Sequence, residues 1–160
     1  SVEHYLFLYR LHYGLDYVIL RFPNVYGPRQ DPHGEAGVVA IWTALMLNGE
    51  EAVIYGSGEQ ERDFVYVGDI ARANVLALTN GSGIIANLGS AVGTSINDLF
   101  DMLKRSTGYA RDRVYAPAKQ GEVFRSFITN EVARRELGWE PTITLQEGLD
   151  LTVAYFRQTK

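Results

Sequence analysis

Residues 16–22 read DYVILRF, and the chain runs on without a break into PNVYGPRQ at 23–30. Val18, Ile19 and Leu20 are consecutive apolar residues with no polar alternation. That is the pattern of a strand covered on both faces, as in a parallel sheet. The strand gives way to Arg21 and Phe22-Pro23-Asn24, then to a Tyr-Gly-Pro turn. Polar side chains crowded at the carboxyl end of a parallel strand sit where open α/β sheets bind ligands.

Upstream of that strand, Tyr5, Leu8, Tyr9, His12 and Tyr13 recur at i, i+3, i+4, i+7 and i+8. The spacing predicts a helix over 2–13 with Gly14 at its end. Its apolar, tyrosine-rich stripe is suited to packing against another helix. Downstream, a Pro/Gly-rich loop leads to a predicted helix over 38–48 closed by Gly49, then to a strand at 51–56. Ser57 to Gln60 is turn chemistry, with Gly56-Ser57-Gly58 read as a hairpin turn, and 63–67 is a further strand. Asp69 is expected to cap a helix over 70–80 that closes at Gly81. A buried strand at 83–89 follows. Thr94 or Ser95 opens the next helix, with Asp98 three residues after Ser95, and Gly108 ends it. Residues 113–117 form another candidate strand, and Asn130 is expected to cap a short helix ending at Gly138. The last helix has the clearest start, because Thr144 and Glu147 are spaced as a full capping box behind Pro141.

Helices and strands alternate, which is the α/β pattern. A doubly covered strand needs neighbours that few segments here offer. The reading therefore expects more sheet upstream, and a chain opening on Ser1 instead of methionine fits a piece of something longer.

A formal net charge of −4 argues against a nucleic-acid surface, where a basic patch is expected. The absence of cysteine excludes disulfides, thiolate chemistry and cysteine-ligated metal. His4, His12 and His33 have no metal-ligand spacing, so no metal is expected. No apolar run approaches the roughly 20 residues of a membrane span. Ser1 opens directly into charged, helical sequence, so no signal peptide is expected.

Several residues could carry chemistry, each beside a plainer alternative. Asn24 offers an amide at a strand's carboxyl end, or opens an Asx-type turn. Arg62 presents a planar donor fork for phosphate or carboxylate oxygens, or pairs with Glu59, Glu61 or Asp63 on the surface. Val53 and Tyr55 share a strand face and could form a platform for a ring, or pack in the core. Lys119 and Glu122 flank Gly121 as a converging cation and carboxylate, or as solvated loop charges. Neither Gly56-Ser57-Gly58 nor NLGSAVGTS at 87–95 has the spacing of a dinucleotide fingerprint.

Taken together, LRFPNVYGPRQ, GEAGVVAIW, IYGSGEQERDFVYVGDIARA, NLGSAVGTS and PAKQGEVFRS followed by LGWEP resemble one family in that order. It is the NAD-dependent epimerase/dehydratase family of extended short-chain dehydrogenases, which act on nucleotide sugars. The likeness runs from Ser1 to about Phe156, and GPRQDPHGEAGVV is most similar to the UDP-glucose 4-epimerase branch. The resemblance implies an α/β fold made of the C-terminal part of a Rossmann-type doubly wound sheet plus the small α/β substrate-binding domain. Residues 1–33 would be the last helix and strand of the Rossmann part with the following loop. Residues 34–160 would be mainly the substrate-binding domain, with 68–108 packing back on the sheet.

The resemblance also implies a Tyr-x-x-x-Lys pair upstream, its lysine two residues before Ser1, so no catalytic residue is assigned within the chain. NAD is the implied cofactor, mostly held outside it, with Phe22 and Pro23 approaching the nicotinamide. Asn24 and Arg62 would contact the diphosphate of a UDP-sugar, Val38 would line the nucleotide pocket, Val53 and Tyr55 would bracket the uracil, and Glu122 would bind the ribose. Lys119 stands where the family usually has arginine, replacing a bidentate donor by a point charge. The first helix would pair in a homodimer of a cytoplasmic enzyme. The implied reaction removes hydride from sugar C4 and returns it to the other face of a 4-keto sugar. Related dehydration or decarboxylation, and a non-catalytic nucleotide-sugar binder, are the alternatives. This chain by itself is expected to be inactive.

Overall fold

The computed structural model describes residues 2–33 and 37–159. Helix α1 (Val2–Tyr13) forms as its periodicity predicts, and Gly14 closes it at φ 69° with its N–H on Arg10 O at 3.0 Å. Strand β1 (Val18–Arg21) follows, shorter than the predicted 16–22, with Ile19 buried and Val18 and Leu20 half-buried. Arg21 turns back to Glu3, its Nε and Nη2 donating to the two carboxylate oxygens at 2.9 and 2.6 Å. That fork ties the start of α1 to the end of β1.

Residues 24–26, expected as loop, are strand β2 (Asn24–Tyr26). Helix α2 (Val38–Leu47) and strand β3 (Val53–Tyr55) fall where predicted. Strands β4 (Glu61–Arg62) and β5 (Phe64–Tyr66) come next. Helix α3 spans Val67–Leu76, so it begins before Asp69 and ends short of the predicted Asn80. Strands β6 (Ile84–Asn87) and β7 (Thr94–Ser95) precede helix α4 (Ile96–Thr107), capped by Ser95 as expected. Strands β8 (Val114–Ala116) and β9 (Arg125–Ser126) lead to a π-helical turn, Ala133–Leu137, and to helix α5 (Leu145–Gln158) with its capping box. Asn130 does not cap with its side chain. Its Nδ2 donates to Gly89 O at 3.0 Å, while its carbonyl accepts from Arg134 N–H.

Strands β1–β6, β2–β5 and β3–β8 pair in parallel, and β4 lies between antiparallel β7 and parallel β9. The expected hairpin at Gly56–Gly58 is therefore not one, since β3 and β4 take different partners. Gly58 is needed there for a close approach: it sits at φ 77°, and a Cβ would run into the Asn97 side chain.

Two apolar clusters form. One gathers Trp42, Met46, Ile54, Phe100 and Leu103 with Leu149 and Val153 between α2, α4 and α5. Trp42 and Tyr109 both meet Phe100 edge-on, at 5.4 and 6.1 Å. The other joins Val65, Ile70, Ala73, Ala86 and Leu88 to Leu137 and Trp139, with β1 packed against it. No described residue of α1 is buried.

Candidate functional site

A cleft of about 320 Å³ opens where β2, β3, β4 and the start of α2 meet the loop after β8. Its size falls within the ordinary range of small-molecule sites. Seven residues singled out in the sequence line it: Asn24, Val38, Val53, Tyr55, Arg62, Lys119 and Glu122. The structure brings these together from five separate segments. Phe22 and Pro23 lie outside it, Phe22 half-exposed beyond the end of β1.

Period-two geometry sets one wall. Val53 and Tyr55 face the cleft, and Ile54 between them is fully buried in the core. The floor is Trp42 and Phe64 with Ile96, all buried. Trp42 and Ile41 went unnoticed in the sequence, although they lie four and three positions after Val38, on the same helical face. Phe64 was legible only as strand. Nothing local marks Gln60, which is buried, as more than a turn residue.

Asn24 does not open a turn. Its backbone N–H and its Nδ2 both donate to Asp63 O at 3.0 Å, fixing its amide at the head of β2. Arg62 does not pair with its sequence neighbours, because each of those carboxylates is engaged. Glu61 meets Arg125 at 2.9 Å, and Glu59 accepts from Asn97 Nδ2 at 2.7 Å. Asp63 accepts from Ser90 Oγ at 2.6 Å and from Ile128 N–H at 3.2 Å. Arg62 instead bonds Glu122, 60 positions along the chain, through Nη2 at 3.1 Å, while its Nη1 donates to Glu61 O at 2.9 Å. The Lys119 ammonium sits 4.4 Å from the centre of the Tyr55 ring, a cation–π contact.

The cleft thus combines an apolar floor, an aromatic wall, two cations, two amides and one carboxylate. That inventory suits a flat, apolar ring joined to an anionic, hydroxylated body. Among the described residues no group of three acids or histidines could hold a metal ion. No helix among them is long and apolar enough to cross a membrane.

This is an α/β protein, mostly parallel in its strand pairing, with a cleft built at strand ends and loops. The model of the NAD dependent epimerase/dehydratase family matches residues 1–89, more than half of the chain, and the chain belongs to that family. It is 42% identical over 156 residues to UDP-glucose 4-epimerase of Mycolicibacterium smegmatis, covering 97% of this chain and 50% of that protein. The crystal structure of UDP-glucose 4-epimerase from Thermotoga maritima with UDP-glucose superposes at TM-score 0.97 and 53% identity, over 99% of this chain and 52% of that one. The Thermus thermophilus UDP-glucose 4-epimerase in complex with NAD gives 0.90 and 41%, over 99% and 52%. The chain spans about half the length of the curated relatives it matches.

Proposed function

We propose that this chain is the nucleotide-sugar-binding half of an NAD-dependent nucleotide-sugar epimerase, of the kind that interconverts UDP-glucose and UDP-galactose. The observation carrying the reading is that the seven residues to which the family resemblance gives nucleotide-sugar contacts line one cleft, in a chain so similar to UDP-glucose 4-epimerases. On this reading Asn24, Arg62 and Lys119 hold the diphosphate. Val38, Val53 and Tyr55 receive the uracil, and Glu122 accepts from the ribose hydroxyls. The division at residues 33 and 34, with 68–108 on the Rossmann sheet, belongs to the same proposal, as do pairing through α1 and a cytoplasmic setting.

Bound NAD would supply the acceptance and return of hydride at sugar C4. The fit of this chain to NAD is a border only: Phe22 offers a half-exposed ring next to Pro23, at the carboxyl end of β1. What the chain itself supplies is grip and orientation. A diphosphate held by the Arg62 fork fixes the sugar at a set distance, so binding energy remote from the reacting carbon serves to position it.

Calorimetry with UDP-glucose tests the reading. The chain is expected to bind it, and Arg62→Ala to weaken binding about tenfold or more, the loss of a charge-assisted contact. No heat at millimolar ligand would overturn the proposal. A product assay on the longer protein separates the reactions, since a 4-keto-6-deoxy sugar as the only product means dehydration.

A further inference from the structure

Among the described residues lining the cleft, Glu122 is the single acid, placed beside the group best suited to an anion. Its Oε1 accepts from Arg62 Nη2 at 3.1 Å and from Gln60 Nε2 at 3.3 Å. Gln60 is itself locked, 6% exposed, with the same amide nitrogen donating to Tyr55 O at 2.7 Å. Two acceptors on one side leave its amide a single sensible orientation. The Arg62 and Glu122 side chains are 18% and 29% exposed, so their pair is partly withdrawn from water.

An anion arriving at Arg62 must therefore contend with a carboxylate already there. If it brings nothing but negative charge, it leaves Glu122 partly desolvated, unpaired and facing a like charge. A ligand that carries hydroxyl donors beside its anion gives Glu122 a new partner as it takes Arg62. The bonds made to Glu122 both fall on Oε1, and Oε2 keeps its acceptor capacity. Lys119, 4.4 Å from the centre of the Tyr55 ring, adds a second cation for the anion but does not give Glu122 back the partner it loses.

We infer that Glu122 is a specificity-determining residue that makes anion binding conditional on a ligand hydroxyl. It selects hydroxyl-bearing phosphate esters, such as nucleoside diphosphates, over bare polyphosphate. The inference rests on the nucleotide reading of the cleft and adds a reason for a carboxylate in it: rejection of the wrong anion, which attraction alone does not provide.

The test is calorimetry of the chain with two probes, UDP and inorganic pyrophosphate, on the parent, Glu122→Gln and Glu59→Gln. Glu59 serves as the charge-matched control, since it neighbours Gln60 but bonds Asn97 and not Arg62. Glu122→Gln is expected to tighten pyrophosphate on the order of tenfold and to weaken UDP several-fold, collapsing the preference between them. Glu59→Gln is expected to leave that preference unchanged. If Glu122→Gln shifts both probes by the same factor, or Glu59→Gln reproduces its effect, net charge is the explanation and the selectivity inference falls while the nucleotide reading stands. If the parent chain gives no heat with UDP, both fall together.

Discussion

Asp69 shows what a single residue does when its sequence neighbourhood is a poor guide. It looks like a helix cap, yet it lies inside the first turn of α3 and its side chain is 2% exposed. Its carboxylate accepts from Thr142 Oγ1 at 2.7 Å, from the Thr142 and Ile143 N–H groups at 3.0 and 3.1 Å, and from Arg72 at 2.9 Å. Burial by itself raises its pKa, but Arg72 and the donors of 142–143 outweigh it and hold the carboxyl below the usual carboxylate range. A depressed folded value means stability that is present at neutral pH, above the unfolded value of about 3.9, and lost as pH falls through the folded one. Asp69→Asn turns an NH₂ toward donors on whichever side it is placed. The expected cost is about 1–3 kcal/mol in urea unfolding at pH 7, with the gap to the parent narrowing below about pH 4. Parallel stability curves across that range would count against the account. Thr144 and Glu147 were legible because a capping box is closed within three residues. Asp69 was not, because its donors at Thr142 and Ile143 stand 73 and 74 positions away.

Elements divide in the same way. Helices α1, α2, α4 and α5 carry their own evidence in period, cap and closing glycine, and they formed where the sequence placed them. Strand β2 carries none: Pro23 and Gly27-Pro28 flank it as turn residues do, and it is a strand only because β5 lies alongside. The cleft divides likewise. Val53 and Tyr55 follow from strand period, whereas Gln60 and the Arg62–Glu122 pair depend on which loop folds over which strand. One contact between elements allows a sharp test. Gly148 lies in α5, where alanine normally gains up to about 1 kcal/mol over glycine. Here a Cβ would collide with the Tyr26 hydroxyl and sit 2.8 Å from its Cζ. Tyr26 is buried, and meets Phe64 and Tyr66 edge-on at 6.4 and 6.0 Å, so it has little room to retreat. Gly148→Ala is therefore expected to destabilise by about 1–3 kcal/mol in a thermal melt, as overpacking does. A raised Tm would mean that helix propensity prevails over the clash.

At the scale of the molecule, apolar surface is distributed unevenly. Tyr5, Phe7, Leu11 and Tyr13 on α1 are 66%, 58%, 68% and 78% exposed, while α2, α4 and α5 enclose a dense core. If α1 pairs with a second copy, sedimentation velocity will show a dimer, and Leu11→Glu will return it to monomer. A parent chain that sediments as monomer throughout would remove α1 from that role. The parallel pairing described above has its own consequence in time. Strands β1, β2 and β3 find their partners 66, 40 and 61 positions further on, and none of the three closes a hairpin. Each pairing joins distant stretches of chain, the kind of topology that folds slowly. On a ribosome adding about 5–20 residues per second, β1 waits about 3–13 s after its own synthesis before β6 is even made. For that interval Val18, Ile19 and Leu20, the residues most suited to the interior of a sheet, are held out of β6's reach by the pace of translation.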